Sequence, residues 1–570
     1  MNPIDRRLFL GGAAVVAAGF AAACATSSND SGTSSSAGSS GAVGPGGALT
    51  FDPNAFTEKT TTVTTGAGDK QVTYRFYGPI TYVAKPVNAE YQSLIISVPT
   101  SIDGKAVDAT NAPIVFANSV GGYMPASVKD ATGVGGSMGS GMGGAGMSGA
   151  PGGMPSGAMP SGAQPSGAEP SGEMPSGEMP GTSETPQGSS SPSSEVQSGG
   201  NAMLGGAGQM VNLAQLAVAA GYVAVEPGCR GRTLVNGDGV YYGVAPAAIV
   251  DLKAAVRYLR ANGDAIPGNT DQIVSTGTSA GGALSALLGA SGNSDLYQSE
   301  LDALGAADAD DSIFAVGAWC PITDLGHADG AYEWNWGTNP VASTGAEPNQ
   351  TLSGQLRDQF AAYMPTLKLQ GLNDFGNLTA ANYSDYLLQQ YLQPSATKYL
   401  TALSESDRAA YLQDNPFIAW QNNRATFPWQ GYLTHVGARK KTLPAFDAFD
   451  LSAGENNLFG HDTTKARHFT EYSAQRTTAG EGTVDADIPQ LLDQMNPMYF
   501  LQTSNPDRSK RWWIRLGTND TDTALTVSCN IAANAAGLGD QVNHLMYWDQ
   551  GHGANTDADE FIAWVDSIAG

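Results

Sequence analysis

Apolar positions along this chain follow two periods. Short runs of β-branched and aromatic residues at 72–77, 93–98 and 114–117 predict strands. Beyond about residue 212 the two periods alternate. A helix is expected over 213–220, a strand over 222–225, and a helix over 246–262 with Ile249, Leu252, Val256 and Leu259 on one face. A strand over 272–276, a helix over 280–288 and a strand over 313–319 follow. The rhythm breaks between about 327 and 487, a stretch rich in Trp, Tyr, Asn, Gln and Asp with helical pieces such as 383–392. It resumes with a strand over 512–516, a helix over 523–535, a strand over 544–548 and a closing helix over 557–568. Such alternation predicts an α/β architecture, a mostly parallel sheet covered on both faces by helices. One large insertion accounts for the break.

Two stretches carry neither period. Residues 25–50 are dominated by Ser, Gly and Ala, and 133–200 by Gly, Ser, Pro and Met with a five-residue repeat visible from Met154-Pro155-Ser156-Gly157-Ala158 onward. Neither can bury enough apolar surface to offset the entropy of ordering. The expected organisation is therefore an N-terminal address over 1–24, a tether over 25–50 and a first core segment over 51–326 carrying the 133–200 insertion. A lid or recognition insertion over 327–487 and a second core segment over 488–570 complete it.

The address contains Arg6-Arg7-Leu8-Phe9-Leu10 and an apolar run over 11–23 that is too short to span a bilayer. It resembles a twin-arginine export signal. Ala21-Ala22-Ala23-Cys24 resembles a lipobox, with Ala21 where Leu is usual. These resemblances imply an extracytoplasmic protein, either attached to the membrane by a lipid on Cys24 or cleaved nearby and secreted.

The formal charge of −25 argues against a nucleic-acid partner, which needs clustered Lys and Arg. Beyond the address only Cys229, Cys320 and Cys529 remain, an odd number that cannot form a closed disulfide framework, so buried thiols are expected. Neither C-x-x-C nor H-E-x-x-H occurs, so the spacing calls for no metal and no cofactor.

Gly277-Thr278-Ser279-Ala280-Gly281 is a G-x-S-x-G sequence, and Gly135-Gly136-Ser137-Met138-Gly139 matches the same pattern inside the repeat stretch. Only the first lies between an expected strand and an expected helix. It resembles the nucleophile elbow of the α/β-hydrolase fold, which makes Ser279 the candidate nucleophile. A serine hydroxyl needs a base within hydrogen-bond reach and a carboxylate to orient that base. In the fold that Ser279 points to, the acid and then the histidine follow the nucleophile. His552, in the turn Asp549-Gln550-Gly551-His552-Gly553, suits the base, whereas His544 lies inside a strand run. The acid should follow the strand ending near Leu516, where Asp520 is the better candidate; Asp522, or either residue, could instead cap the next helix. The oxyanion hole needs two N–H groups, one from Ala280. The other is expected from the loop Asn118-Ser119-Val120-Gly121-Gly122-Tyr123, with Gly121 as the candidate, although a plain Gly-Gly turn would read the same way.

Asn118 to Pro125, Gly277 to Ser285, Pro444-Ala445-Phe446-Asp447 and Asp520-Thr521-Asp522-Thr523 together resemble the bacterial tannases, serine esterases that cleave galloyl esters. The resemblance runs from about residue 51 to the C-terminus, excluding the repeat stretch. It implies that Lys441, Glu455 and Asp522 hold the phenolic hydroxyls of a small phenolic ester. Two carboxylates accept phenolic O–H bonds and an ammonium donates to a phenol oxygen, which suits that task. Read without the resemblance, Arg439-Lys440-Lys441 could be a solvated basic run and Glu455 a surface acid. Two other functions stay open at this stage: a feruloyl or general carboxylesterase, and a catalytically silent binding protein on a hydrolase scaffold.

Overall fold

The computed structural model describes residues 49–136, 138–139, 212–480 and 482–570. The expected export signal over 1–24, Cys24, nearly all of the expected tether and most of the repeat stretch lie outside the described residues.

Nine strands form the main sheet: β1 Thr57–Thr65, β2 Gly68–Thr81, β3 Ser93–Ile102, β4 Pro113–Ala117, β5 Val223–Pro227, β6 Asn269–Thr278, β7 Ala315–Trp319, β8 Arg511–Gly517 and β9 Gln541–Tyr547. Their spatial order is β1-β2-β3-β5-β4-β6-β7-β8-β9, and a two-residue strand, Lys105–Ala106, pairs with β3. The six strands from β5 to β9 in that order run parallel. β1, β2 and β3 pair antiparallel, and β3 meets β5 antiparallel. The expected parallel sheet therefore carries an antiparallel edge. Its outermost strand, β1, reads Thr-Glu-Lys-Thr-Thr-Thr-Val-Thr-Thr and buries only Val63, so periodicity had nothing to mark it with.

The central strands β4 (Pro-Ile-Val-Phe-Ala) and β7 (Ala-Val-Gly-Ala-Trp) are apolar throughout, as strands covered by helices on both faces are. Trp512 and Trp513 on β8 show this directly, since successive strand side chains point to opposite faces. On one face lies α3 (Ala280–Ala290), where a side chain added at Gly289 would meet Trp512. On the other lies α9 (Ala558–Ala569), whose Phe561 and Trp564 rings sit 5.7 and 5.5 Å from Trp513. Both tryptophans are buried. Hiding one indole removes roughly 200 Å² from water, worth about 5 kcal/mol. α1 (Leu213–Ala220) packs beside α9, while α2 (Ala247–Ala261) packs on α3. α1 begins where the Asn212 side chain accepts from Gln215 N–H and ends at Gly221, which takes a left-handed conformation.

The long segment between β7 and β8 supplies α4 (Leu325–Trp336), α5 (Trp429–Val436), α6 (Gly454–Leu458) and α7 (Pro497–Gln502). α8 (Leu525–Gly537) follows β8. α4 reaches the β8–α8 loop through the Trp336 indole N–H, which donates to Thr523 O at 2.7 Å, and through Asn335 Oδ1, which accepts from Leu525 N–H at 2.9 Å. Cys229, Cys320 and Cys529 are all buried free thiols. Among the described residues no helix is long and apolar enough to cross a membrane.

Candidate active site

Ser279 stands between β6 and α3 with φ 61° and ψ −123°, a conformation that costs a non-glycine residue roughly 1–3 kcal/mol. The surroundings hold it there. Ser279 N–H donates to Trp319 O at 3.0 Å, and Gly281 N–H donates to Val120 O at 2.9 Å. Cβ atoms at Gly277 and Gly281 would fall 2.3 Å from Gly281 O and 2.5 Å from Asn118 Oδ1, so both flanking positions require glycine. Asn118 opens the β4 loop, and no local pattern in the sequence marks it for a role. Buried, its amide donates to Thr276 O, Gly281 O and Ser285 Oγ at 3.0, 3.1 and 3.0 Å, which ties the β4 loop to the elbow.

His552 Nε2 lies 2.8 Å from Ser279 Oγ, and its Nδ1 lies 2.8 Å from Asp520 Oδ2. Two loops are stitched together to achieve this. Asn519 N–H donates to Gln550 O at 2.9 Å, and Asp549 N–H to Thr518 Oγ1 at 2.8 Å. A Cβ at Gly517 would sit 2.1 Å from Gln550 O, so glycine there is what lets the loops approach. The β7–β8 segment grips the histidine loop as well: His435 Nε2 lies 2.6 Å from Asp549 Oδ1, and Tyr411 donates to the same carboxylate. Burial disfavours charge on the His552 ring, but the adjacent Asp520 carboxylate outweighs it and raises the imidazole pKa well above its ordinary value. Asp520 is fully buried.

Ala280 opens α3 directly after Ser279, so its N–H has no acceptor within the helix. In the β4 loop the Val120 N–H is taken by Asn118 Oδ1 at 3.4 Å and the Met124 N–H by Gly121 O at 2.9 Å. The loop thus lies over the start of α3, with Gly121 next to Val120.

The three recognition candidates converge beside this chain of groups. Lys441 Nζ lies 3.4 Å from Glu455 Oε1 and 3.6 Å from the centre of the Phe446 ring. Asp522 pairs with Lys440, Nζ to Oδ1 at 2.8 Å. Burial opposes charge on Asp522, yet the positive ends of His552, Lys440 and Lys441 lower its pKa overall. Asp522 does not cap α8, whose first N–H is held by Asn335, and of 439–441 only Lys440 is exposed: Arg439 is fully buried against Glu333 and Lys441 is partly buried. His544 is buried in β9 away from the serine.

Several supporting residues escaped sequence reasoning. The Tyr332 hydroxyl donates to Thr521 O at 2.6 Å and accepts from Lys441 N–H at 3.1 Å, joining the acid loop to the recognition loop. Arg232 donates from Nε to Gly122 O at 2.7 Å and from its guanidinium to Asn457 Oδ1 at 3.0 Å, joining the β4 loop to α6. Asp447 is buried and accepts from Asn456, His468, Phe469 and Thr470, so the Pro444-Ala445-Phe446-Asp447 motif holds the recognition loop in shape.

A six-stranded parallel core, with a strained serine at the end of a central strand and a histidine–aspartate pair behind it, is the arrangement of the α/β-hydrolase fold. The comparisons agree and make the protein a carboxylic ester hydrolase. A family model described as BD-FAE matches residues 201–359. No curated protein sequence matches this one. Among solved structures, a tannin acyl hydrolase in complex with 3,4-dihydroxybenzoate is 30% identical, with a TM-score of 0.71 over 91% of this chain and 98% of that one. The Fusobacterium nucleatum tannase is 31% identical, with a TM-score of 0.69 over 92% of this chain and 100% of that one. The orthorhombic Lactobacillus plantarum tannase is 30% identical with a TM-score of 0.70, over 92% and 100% respectively. The chain belongs to the bacterial tannase family.

Proposed function

We propose that this protein is a serine esterase that hydrolyses galloyl esters, such as alkyl gallates and hydrolysable tannins, through an acyl-enzyme. The observation that carries the proposal is the meeting of two groups: the Ser279–His552–Asp520 chain, and the Lys441, Glu455 and Asp522 set immediately beside it. His552 takes the Ser279 proton as Oγ attacks the ester carbonyl, then returns it to the leaving alcohol; water repeats the sequence on the acyl-enzyme. Ala280 and Gly121 N–H groups stabilise the oxyanion. Phenolic hydroxyls of the acyl group donate to Glu455 and Asp522, and Lys441 donates to a phenol oxygen. The relatives lend support: one tannin acyl hydrolase structure holds ethyl gallate, another 3,4-dihydroxybenzoate.

Export and attachment through a lipid on Cys24, or secretion after nearby cleavage, are part of the proposal. They rest on Arg6-Arg7 and on Ala21 to Cys24.

The test is a comparison of kcat/KM for methyl gallate, methyl ferulate and the trimethoxy analogue of methyl gallate. A strong preference for methyl gallate is expected. Equal rates on all three return the protein to a general carboxylesterase, a ferulate preference to a feruloyl esterase, and no turnover to a binding scaffold.

A further inference from the structure

Cys320 stands at the end of β7, next to the nucleophile elbow, with φ 39° and its N–H donating to Arg515 O at 2.7 Å. Its Sγ lies 3.8 Å from His552 Nε2, the atom that also faces Ser279 Oγ at 2.8 Å. Donor atoms of Cys320, His552 and Asp520 all lie within 4.8 Å of one another. Among the described residues Cys229 and Cys529 belong to no such cluster, and burial pushes both thiols well up in pKa, which keeps them protonated.

We propose that Cys320 Sγ and His552 Nε2 form an inhibitory site for a thiophilic divalent cation, Zn²⁺ or Cd²⁺. The geometry suits such an ion. Zinc–sulfur and zinc–nitrogen bonds of about 2.3 and 2.0–2.1 Å, at tetrahedral to slightly wider angles, place S and N roughly 3.5–3.8 Å apart. The ion bonds to the Cys320 thiolate, whose proton leaves to solvent, and to the lone pair of neutral His552 Nε2. Asp520 stays on Nδ1, where a carboxylate supports a metal-bound imidazole. Water from the cleft or Ser279 Oγ fills the remaining positions. Hard cations such as Mg²⁺ and Ca²⁺ favour oxygen donors and have no purchase here. Occupancy removes the lone pair that must receive the Ser279 proton, so ester hydrolysis stops while the fold stays intact. This consequence rests on His552 being the base; the binding itself does not.

The experiment uses the full chain with Cys24→Ser, which leaves Cys320 as the thiol beside His552 and Cys229 and Cys529 as the two other buried thiols. Hydrolysis of a small acetyl ester is followed in metal-free buffer while Cd²⁺ is titrated in, and cadmium–thiolate charge-transfer absorbance is recorded in parallel. Expected are inhibition reversed by chelator, no effect of Mg²⁺, and absorbance that saturates at one equivalent. In C320A the absorbance should vanish, and half-inhibition, relative to that variant's own rate, should need at least about tenfold more Cd²⁺. Ser279→Ala should keep the absorbance. Equal inhibition of both proteins, or absorbance that survives in C320A, overturns the metal site. Absorbance at one equivalent without inhibition leaves the site in place and overturns His552 as the base.

Discussion

Replacing Asp520 by Asn leaves the side-chain shape unchanged and creates a conflict that the structure makes explicit. One carboxylate oxygen faces His552 Nδ1 at 2.8 Å; the other accepts the Asp522 N–H at 2.9 Å. Both contacts need an acceptor, and a carboxamide has only one. With its oxygen towards His552, the amide N–H₂ is driven against the Asp522 N–H. With its N–H₂ towards His552, the ring must carry its proton on Nε2, the tautomer that cannot accept from Ser279. The second arrangement matches the known cost of a wrong tautomer in a serine triad, about 10⁴ in kcat. That is about 5 kcal/mol of transition-state stabilisation. Asp522→Asn keeps the N–H that Asp520 accepts and should cost less than about tenfold on a small acetyl ester. The pH profile provides a second reading. The Asp520 carboxylate raises the His552 pKa, and only neutral His552 can act as base. The acidic limb of kcat/KM should therefore lie above the ordinary histidine value of about 6.5, with rate lost as pH falls through it. In D520N the residual activity should show that limb displaced to lower pH, because the largest influence raising the His552 pKa is removed while burial remains. If D522N is the more damaged variant, or the limb does not move in D520N, Asp520 is not the acid.

Ser279→Ala should lose on the order of 10⁶ in kcat, with an unfolding transition close to that of the parent protein. Lys441→Met, Glu455→Gln and Asp522→Asn should each lower kcat/KM for methyl gallate by about ten- to a hundredfold while changing acetyl ester hydrolysis only a few-fold; equal losses on both substrates would assign them structural roles. Asp329 is buried beside Asp447, and burial followed by that negative neighbour raises its pKa to about 7. A group whose folded pKa is raised stabilises fully below its unfolded value, and that stability is lost as pH rises towards the folded one. Urea unfolding between pH 5 and 7 should thus show stability falling with pH, by up to about 1.4 kcal/mol per unit from this residue, and D329N should flatten that slope.

Where apolar period and turn chemistry coincide, the fold could be read from the sequence. The helix expected over 213–220 is α1, flanked by an Asn cap and a Gly stop, and the run around Ile273 and Val274 is the strand that leads into the elbow. β1 was illegible because an edge strand with one buried side chain carries no apolar alternation. Ser279, Asp520 and His552 were legible because each follows a strand end in chain order. Tyr332, Arg232 and Asn118 were not, because they act by hydrogen bonds across 109 to 225 residues of sequence separation, and no local pattern records such a partner. Asp447 was visible only as part of a motif. Its work, accepting from Asn456, His468, Phe469 and Thr470, depends on the loop having already folded around it.

The pairing within the recognition set limits how sharply the pocket can discriminate. A site that holds an isolated buried polar group rejects a substrate lacking the matching hydroxyl by about 10⁴–10⁵, because the group is then left without a partner. Here none of the charges is isolated. Lys441 faces Glu455 at 3.4 Å, and Lys440 faces Asp522 at 2.8 Å. Two cations and two anions balance, and the Lys440 side chain is 47% exposed. A benzoate ester without hydroxyls would leave these groups paired with one another, as in the free protein, so its penalty is the lost hydroxyl bonds and not the desolvation of bare ions. Three such bonds at about 0.5–1.5 kcal/mol each amount to a ratio between about 10 and 10³. Methyl gallate should therefore exceed methyl benzoate in kcat/KM by that factor. Lys440→Met, which strips Asp522 of its partner, should widen the ratio by penalising the benzoate more than the gallate. A ratio that narrows in this variant would mean that Lys440 itself binds the substrate and that Asp522 was never held in reserve for a hydroxyl.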